Sequence, residues 1–219
     1  MKSGISGLDK LYELKPKQVI IVYGPPGPEK SVLAQQFLYG GLSGGEPGIY
    51  VTTDHSPQEL RDVMKSRGWG VEEAEKKRLL KFVDCYSWTV HEKDRSLSVT
   101  TIPTPSALSD ISISISSLLK PNSRVILDSL STLLLYNESK PVFRFLQVLG
   151  SKVKSSSSTI MVLLEEGMHD EEVKVSIEHL TDGTIHMKTS PDHVLKLERL
   201  SPSDWVGYKV TDKGMEILV

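Results

Sequence analysis

One cysteine, Cys85, in 219 residues leaves no partner for an internal disulfide and too few thiols for a zinc site. Aromatic residues make up only 6% of the chain, and Trp69, Trp88 and Trp205 are too dispersed to form a base-stacking platform. No apolar run approaches the roughly 18–20 residues that a membrane helix needs. The opening MKSGISGLDKLYELK lacks the apolar core of a secretion signal. An excess of one charge is also missing. With 26 Lys and Arg against 28 Asp and Glu, the formal charge is −2, so the whole molecule does not attract nucleic acid. These absences predict a cytoplasmic protein with no membrane partner. At 38% hydrophobic and 25% charged residues the composition is that of a folded globule, and the length suits one domain over 1–219.

What is present is an alternation of strand and helix signals. Residues 18–23 (QVIIVY) form an apolar run stopped by GPPGP. Residues 31–42 carry Val32, Leu33, Phe37 and Leu38 at helical spacing. A strand over 48–53 (GIYVTT) precedes a helix over 57–67, opened by Ser56 with Pro57 at its first position. Residues 79–84 (LLKFVD) read as a third strand, and the polar stretch 87–103 as a surface loop. Residues 106–119 are ambiguous: Ile111-Ser112-Ile113-Ser114-Ile115 alternates like a strand, while Leu108, Ile111, Ile115 and Leu118 make a helical stripe. The strand–helix rhythm favours helix, because the buried run 124–128 (RVILD) follows at once. A helix over 141–154 and a strand over 159–164 come next. Short strands at 183–187, 194–200, 208–211 and 215–219 close the chain. This predicts an α/β fold: a central, mostly parallel sheet, helices on both faces and a C-terminal antiparallel hairpin.

Gly24-Pro25-Pro26-Gly27-Pro28-Glu29-Lys30-Ser31 fits the phosphate-loop pattern G-x-x-x-x-G-K-[ST] except that Glu29 replaces the second glycine. Its context, a strand before and a helix after, is right. In such a loop successive N–H groups form a nest for phosphate oxygens, and the helix N-terminus adds positive potential. Lys30 would neutralise the β- and γ-phosphates of ATP, and the Ser31 hydroxyl would ligate Mg²⁺. Glu29 opposes this. At ~4 Å and an effective dielectric of ~20, each like-charge pair costs on the order of 4 kcal/mol before screening. Rotation toward solvent or pairing with Lys30 would relieve it. The alternative is that Glu29 only completes a strand–turn–helix and caps the helix dipole. Asp128, at the end of an apolar strand, is a candidate for the Mg²⁺ water shell beside Ser31, or else a turn residue.

These segments resemble the RecA superfamily, and within it the KaiC-like and archaeal RadA-paralogue ATPase domains. The resemblance spans nearly the whole chain. It opens with Ser3-Gly4-Ile5-Ser6-Gly7-Leu8-Asp9, similar to T-G-I-x-G-[FL]-D, and runs through the phosphate loop to Gln36-Phe37-Leu38-Tyr39-Gly40-Gly41. Residues 50–60 (YVTTDHSPQEL) match a segment that normally reads V-T-x-E-E-[ST]-P, and Arg67-Gly68-Trp69 matches S-x-G-W. Val125–Ser129 is similar to the family's acidic strand end, residues 179–185 (HLTDGTI) to H-x-x-D-G-x-I, and residues 211–217 to its final hairpin.

The resemblance implies a RecA-like, three-layer P-loop fold that uses ATP and Mg²⁺. Asp54 and His55 stand where the family has paired glutamates, one of which activates the attacking water. Asp54 is one methylene shorter than Glu, and His55 is either a proton acceptor near neutral pH or a surface neighbour of the helix cap. The family's glycine pair before the first strand is absent. Leu197 fills a lysine position in a motif that reaches a neighbouring subunit's nucleotide, while Arg199, the subunit-interface candidate, remains. Glu165 sits at a polar-sensor position, or is a loop acid beside Glu166. His169, Glu171 and Glu172 lie where family members can touch nucleic acid; their spacing suits no tight helical ligand pair, which favours a solvated loop over a metal, and their acidity argues against a phosphate backbone. Together the departures imply slow or lost hydrolysis on a preserved ATP-binding scaffold that works by association, as a homo-oligomer or with a related ATPase. The alternatives are a recombination accessory protein that binds single-stranded DNA or a recombinase, and a slow but competent ATPase.

Overall fold

The computed structural model describes residues 1–88, 94, 96–201 and 203–219. The chain order is α1 (Leu8–Leu11), β1 (Val19–Gly24), α2 (Glu29–Ser43), β2 (Gly48–Thr52), α3 (Pro57–Ser66), α4 (Glu72–Lys76), β3 (Leu80–Asp84), β4 (Val99–Thr101) and α5 (Leu108–Leu118). It continues with β5 (Arg124–Asp128), α6 (Leu130–Tyr136), α7 (Ser139–Ser155), β6 (Thr159–Glu165), α8 (Glu171–His179), β7 (Gly183–Lys188), β8 (Val194–Glu198), β9 (Val206–Thr211) and β10 (Gly214–Ile217).

Among the described residues ten strands form one sheet, in the order β10-β9-β8-β7-β1-β6-β5-β2-β3-β4. The seven strands from β7 to β4 are parallel; β8, β9 and β10 add an antiparallel edge. Two cores cover the sheet. One packs Val32, Leu33, Phe37 and Leu38 of α2 with Leu60 and Met64 of α3 against one face. The other packs Ile111 and Ile115 of α5, Leu133 of α6, Leu146 and Leu149 of α7 and Ile177 of α8 against the opposite face. Burial on both faces explains why the central strands are continuous apolar runs rather than alternating ones.

Local chemistry fixes the helix ends. Ser56 accepts the Glu59 N–H at 3.2 Å while the Glu59 carboxylate accepts the Ser56 N–H at 2.7 Å, with Pro57 at the first position of α3. The ambiguous segment is helical. Ile111 and Ile115 are fully buried while Ile113 is 63% exposed, which a strand with all three on one face cannot produce.

Two expectations need correction. Part of the stretch read as a loop over 87–103 forms β4, which pairs with β3 through Phe82–Val99 and extends the sheet; residues 89–93 and 95 of it lie outside the described residues. The acidic stretch read as a loop begins a helix, α8, with Glu171 and Glu172 in the first turn, where carboxylates face the positive end of the helix dipole. A short helix, α6, follows Asp128, with Ser129 as its N-cap accepting the Thr132 N–H at 3.3 Å.

From β1 the chain crosses by α2 to β2 on one side; from β6 it crosses by α8 to β7 on the other. The connections part beside β1, the position in an open α/β sheet where a crevice forms outside the strand C-termini. Register puts Gly24 opposite Glu165 and Thr52 opposite Asp128 along that edge.

Candidate nucleotide site

The phosphate-loop residues Gly24, Pro25, Pro26, Gly27, Pro28, Glu29, Lys30 and Ser31 run from the tip of β1 into α2, which starts at Glu29 with Pro28 as N-cap. The first helical bond is Val32 N–H to Pro28 O at 2.9 Å, so the N–H groups of Glu29, Lys30 and Ser31 precede the helix ladder. Pro25, Pro26 and Pro28 have no N–H to give. Three of eight nest positions are therefore silent, a defect legible in the sequence that attention to Glu29 alone passes over.

Lys30 is 2% exposed and its ammonium is already engaged. It donates to Pro25 O at 2.5 Å and to Glu165 Oε2 at 3.1 Å. Pairing of Lys30 with Glu29, one of the two expected reliefs, is not what forms. Nor does Glu29 swing free into solvent, since its side chain is 19% exposed. Its carboxylate folds back over Gly27, where an added Cβ would lie 2.4 Å from Oε2, and Gly27 has φ +152, a backbone that favours glycine. The other oxygen lies 3.9 Å from His193 Nε2. Burial, with the Glu29 charge second, pushes the neighbouring Tyr208 phenol up to about 12.

The acidic strand tips meet beside the loop. Ser31 Oγ donates to Asp128 Oδ2 at 3.1 Å, and Tyr50 OH donates to the same oxygen at 2.6 Å. Tyr50 escaped the sequence reading; its signal was a tyrosine in a strand next to the acidic one. Asp54 accepts from Ser129 Oγ at 3.0 Å and Thr132 Oγ1 at 2.5 Å. The His55 carbonyl accepts from Thr52 Oγ1 at 2.6 Å. A cleft of about 370 Å³ brings together Gly27, Ser31, Asp54, His55, Asp128 and Glu165. Arg67 also lines it, donates to Thr211 O at 3.0 Å and keeps its buried Nε without a hydrogen-bond partner among the described residues. No motif marks Arg67 as a cleft cation. Arg199 stays exposed, and its guanidinium donates to the carbonyls of Glu178 and Thr181, at and just beyond the end of α8.

A hydroxyl and a carboxylate within hydrogen-bond reach form a hard-oxygen pair suited to Mg²⁺. Among the described residues no cluster of three or more His, Cys, Asp or Glu is placed to hold a metal ion.

Burial raises the Asp128 carboxyl above its ordinary value; the Tyr50 hydrogen bond opposes this and the neighbouring Asp54 charge adds to it. A carboxyl with a higher pKa folded than unfolded takes up a proton on folding, so its contribution is greatest at low pH and is lost as pH rises through the folded value. Asp128→Asn should therefore melt a few degrees above the parent at pH 8, with the gap closing as pH falls into the carboxylate range. Calorimetric melts across that range check this; a gap that does not change with pH would contradict it.

A family model for the KaiC ATPase matches residues 1–200. The chain belongs to the KaiC ATPase family. A UPF0273 protein of Aeropyrum pernix is 32% identical over 198 residues, covering 85% of this chain and 77% of that protein. A UPF0273 protein of Pyrococcus furiosus is 38% identical over 89 residues, 40% of this chain, and the match spans only 36% of that relative's length. A KaiC-like protein of Pyrococcus horikoshii OT3 has the same fold, with a TM-score of 0.75 at 20% identity over 100% of this chain and 98% of that one. Membership in the KaiC family makes this a nucleotide-binding, ATPase-type domain on a RecA-like fold, of a kind that in general uses nucleotide with Mg²⁺. None of the described helices is long and apolar enough to cross a membrane.

Proposed function

We propose that this KaiC-family domain is a degenerate ATP-binding module whose phosphate pocket is filled by its own side chains, and that it acts by association with other subunits, with hydrolysis slow or lost. The observation that carries this is the state of Lys30. An ammonium that is buried and already bonded to Glu165 and Pro25 offers an incoming triphosphate no net charge unless that pair opens. The three prolines and the Glu29 carboxylate weaken the nest further. Ser31 and Asp128 are the residues that would hold Mg²⁺. Asp54 would be the base; each of its oxygens already accepts one hydroxyl hydrogen bond, so a water would have to take one of the remaining acceptor sites.

A second reading, a slow but competent ATPase, is favoured by one feature: Asp54, Asp128, Ser31 and Lys30 still converge on one edge. Titration of Mg·ATP by calorimetry, with phosphate release measured on the parent, Asp54→Ala and Lys30→Ala, separates the two. The associative reading expects weak binding and release indistinguishable from the Asp54→Ala background. Release that needs both side chains would establish the slow ATPase instead. Glu29→Gly should tighten Mg·ATP several-fold, since even a tenth of a ~4 kcal/mol like-charge repulsion per phosphate is felt in affinity; unchanged or weaker binding would refute the repulsion. A recombination accessory role predicts single-stranded DNA affinity that falls steeply with salt.

A further inference from the structure

A cavity of about 680 Å³ opens between α5 and α7, away from the phosphate loop. Ile113 and Val148 line it and are 63% and 42% exposed, with Phe145 buried beside them. Lys140 and Arg144 are its charged lining residues; no carboxylate lines it, and neither cation has an ion-pair partner among the described residues. Lys140, Arg144 and Val148 recur every four residues, so they form one row along α7.

The complementary pattern lies on the same chain but outside this groove. Met168 and Val175 are 41% and 53% exposed, set among Glu166, Asp170, Glu171 and Glu172. Of these four acids only Glu171 has an ion-pair partner among the described residues, Lys174 at 3.1 Å. Glu171 and Val175 are four apart on α8, as Arg144 and Val148 are on α7. Each pair thus spans one turn, about 6 Å. Laid parallel, the two helices would set carboxylate against guanidinium and valine against valine. No residue of α8 or of the turn before it lines the groove, so the match is not met within one molecule.

We propose that the α5–α7 groove receives the acidic 166–175 segment of a second copy of this chain. The groove and the segment are different surfaces: met reciprocally they close a two-fold pair, and met head to tail they build a ring or an open chain. The contact gives the associative reading above its partner and rests on that reading for its role. The surface is tested by sedimentation and the pocket by nucleotide titration, so either can fail alone.

The test uses sedimentation velocity on the full chain at low and high salt, since charges beyond ~10 Å are screened at about 0.1 M. The parent is expected to sediment above its 24.3 kDa monomer at low salt and to shift toward monomer at high salt. Lys140→Glu with Arg144→Glu makes the groove acidic; Glu171→Lys with Glu172→Lys makes the segment basic. Each double variant alone should be monomeric, because like charges then face each other. An equimolar mixture should reassociate, because both of its cross-contacts are complementary. All four side chains are exposed, so folding is not at stake. A parent that stays monomeric at low salt, variants that associate as the parent does, or a mixture that stays monomeric would each overturn the proposal.

Discussion

Arg124→Met should lower the melting temperature by about 10 °C. Arg124 opens β5 and is 3% exposed. Its guanidinium donates to Glu46 Oε2 at 2.5 Å, Phe37 O at 2.7 Å, Lys2 O at 2.7 Å and Ser3 O at 3.1 Å, and lies 4.7 Å from the centre of the Phe37 ring. Gly41 makes this possible, since a Cβ there would come within 2.4 Å of the arginine side chain. Four acceptors from the N-terminal segment, α2 and the turn before β2 thus share one cation. Removing one member of a buried charge pair costs roughly 3–5 kcal/mol, and each kcal/mol shifts the melting point of a domain this size by about 2–4 °C. Arg124→Lys keeps the charge but not the fork, and should recover less than half of the loss. A calorimetric drop under about 3 °C for Arg124→Met would mean that the four acceptors find water or other donors instead. The same bond to Phe37 O anchors α2, which carries Lys30 and Ser31, so this variant also tests whether the loop depends on the far end of its helix.

The sheet was legible because burial on both faces leaves continuous apolar runs, and the strands 48–53, 79–84, 124–128 and 159–164 need nothing else. Where the signal is short or local, sequence reading fails for physical reasons. Three-residue β4 has no period to detect; its existence depends on β3 offering a free edge. The alternating Ile-Ser run of α5 carries two periods, and the choice is made by its crossover between two parallel strands rather than by the residues themselves. At the site, Lys30, Ser31, Asp54 and Asp128 could be placed together because the motif ties each to a strand end. What could not be read was which acid meets Lys30. Glu29 is its sequence neighbour, but on a helix adjacent residues do not face each other. Glu165 is 135 residues away and reaches it only because β6 lies beside β1.

That pairing makes Glu165→Gln the decisive change at the pocket. The Lys30 side chain is 3% exposed and its carboxylate partner 24%, so neutralising Glu165 strands an ammonium in a poorly solvated place with Pro25 O as its remaining strong acceptor. Without ligand the variant should melt roughly 6–12 °C lower, from a loss of about 3 kcal/mol for a broken buried pair. With Mg·ATP the order should invert in its effect. The triphosphate now meets an unpaired cation instead of a neutral pair, and one anion fewer at the strand tips, so affinity should rise on the order of tenfold, or about 1.4 kcal/mol. Because a ligand bound only by the folded state stabilises it by RT ln(1 + [L]/Kd), the thermal shift at a fixed Mg·ATP concentration should be larger in Glu165→Gln than in the parent. Glu29→Gly provides the contrast. It removes a repelling charge without exposing a buried one, so it should tighten binding without the drop in the unliganded melt. If Glu165→Gln melts with the parent and binds no more tightly, the ion pair does not close the pocket. Weak binding would then trace to the three prolines, whose missing N–H groups no side-chain charge can replace.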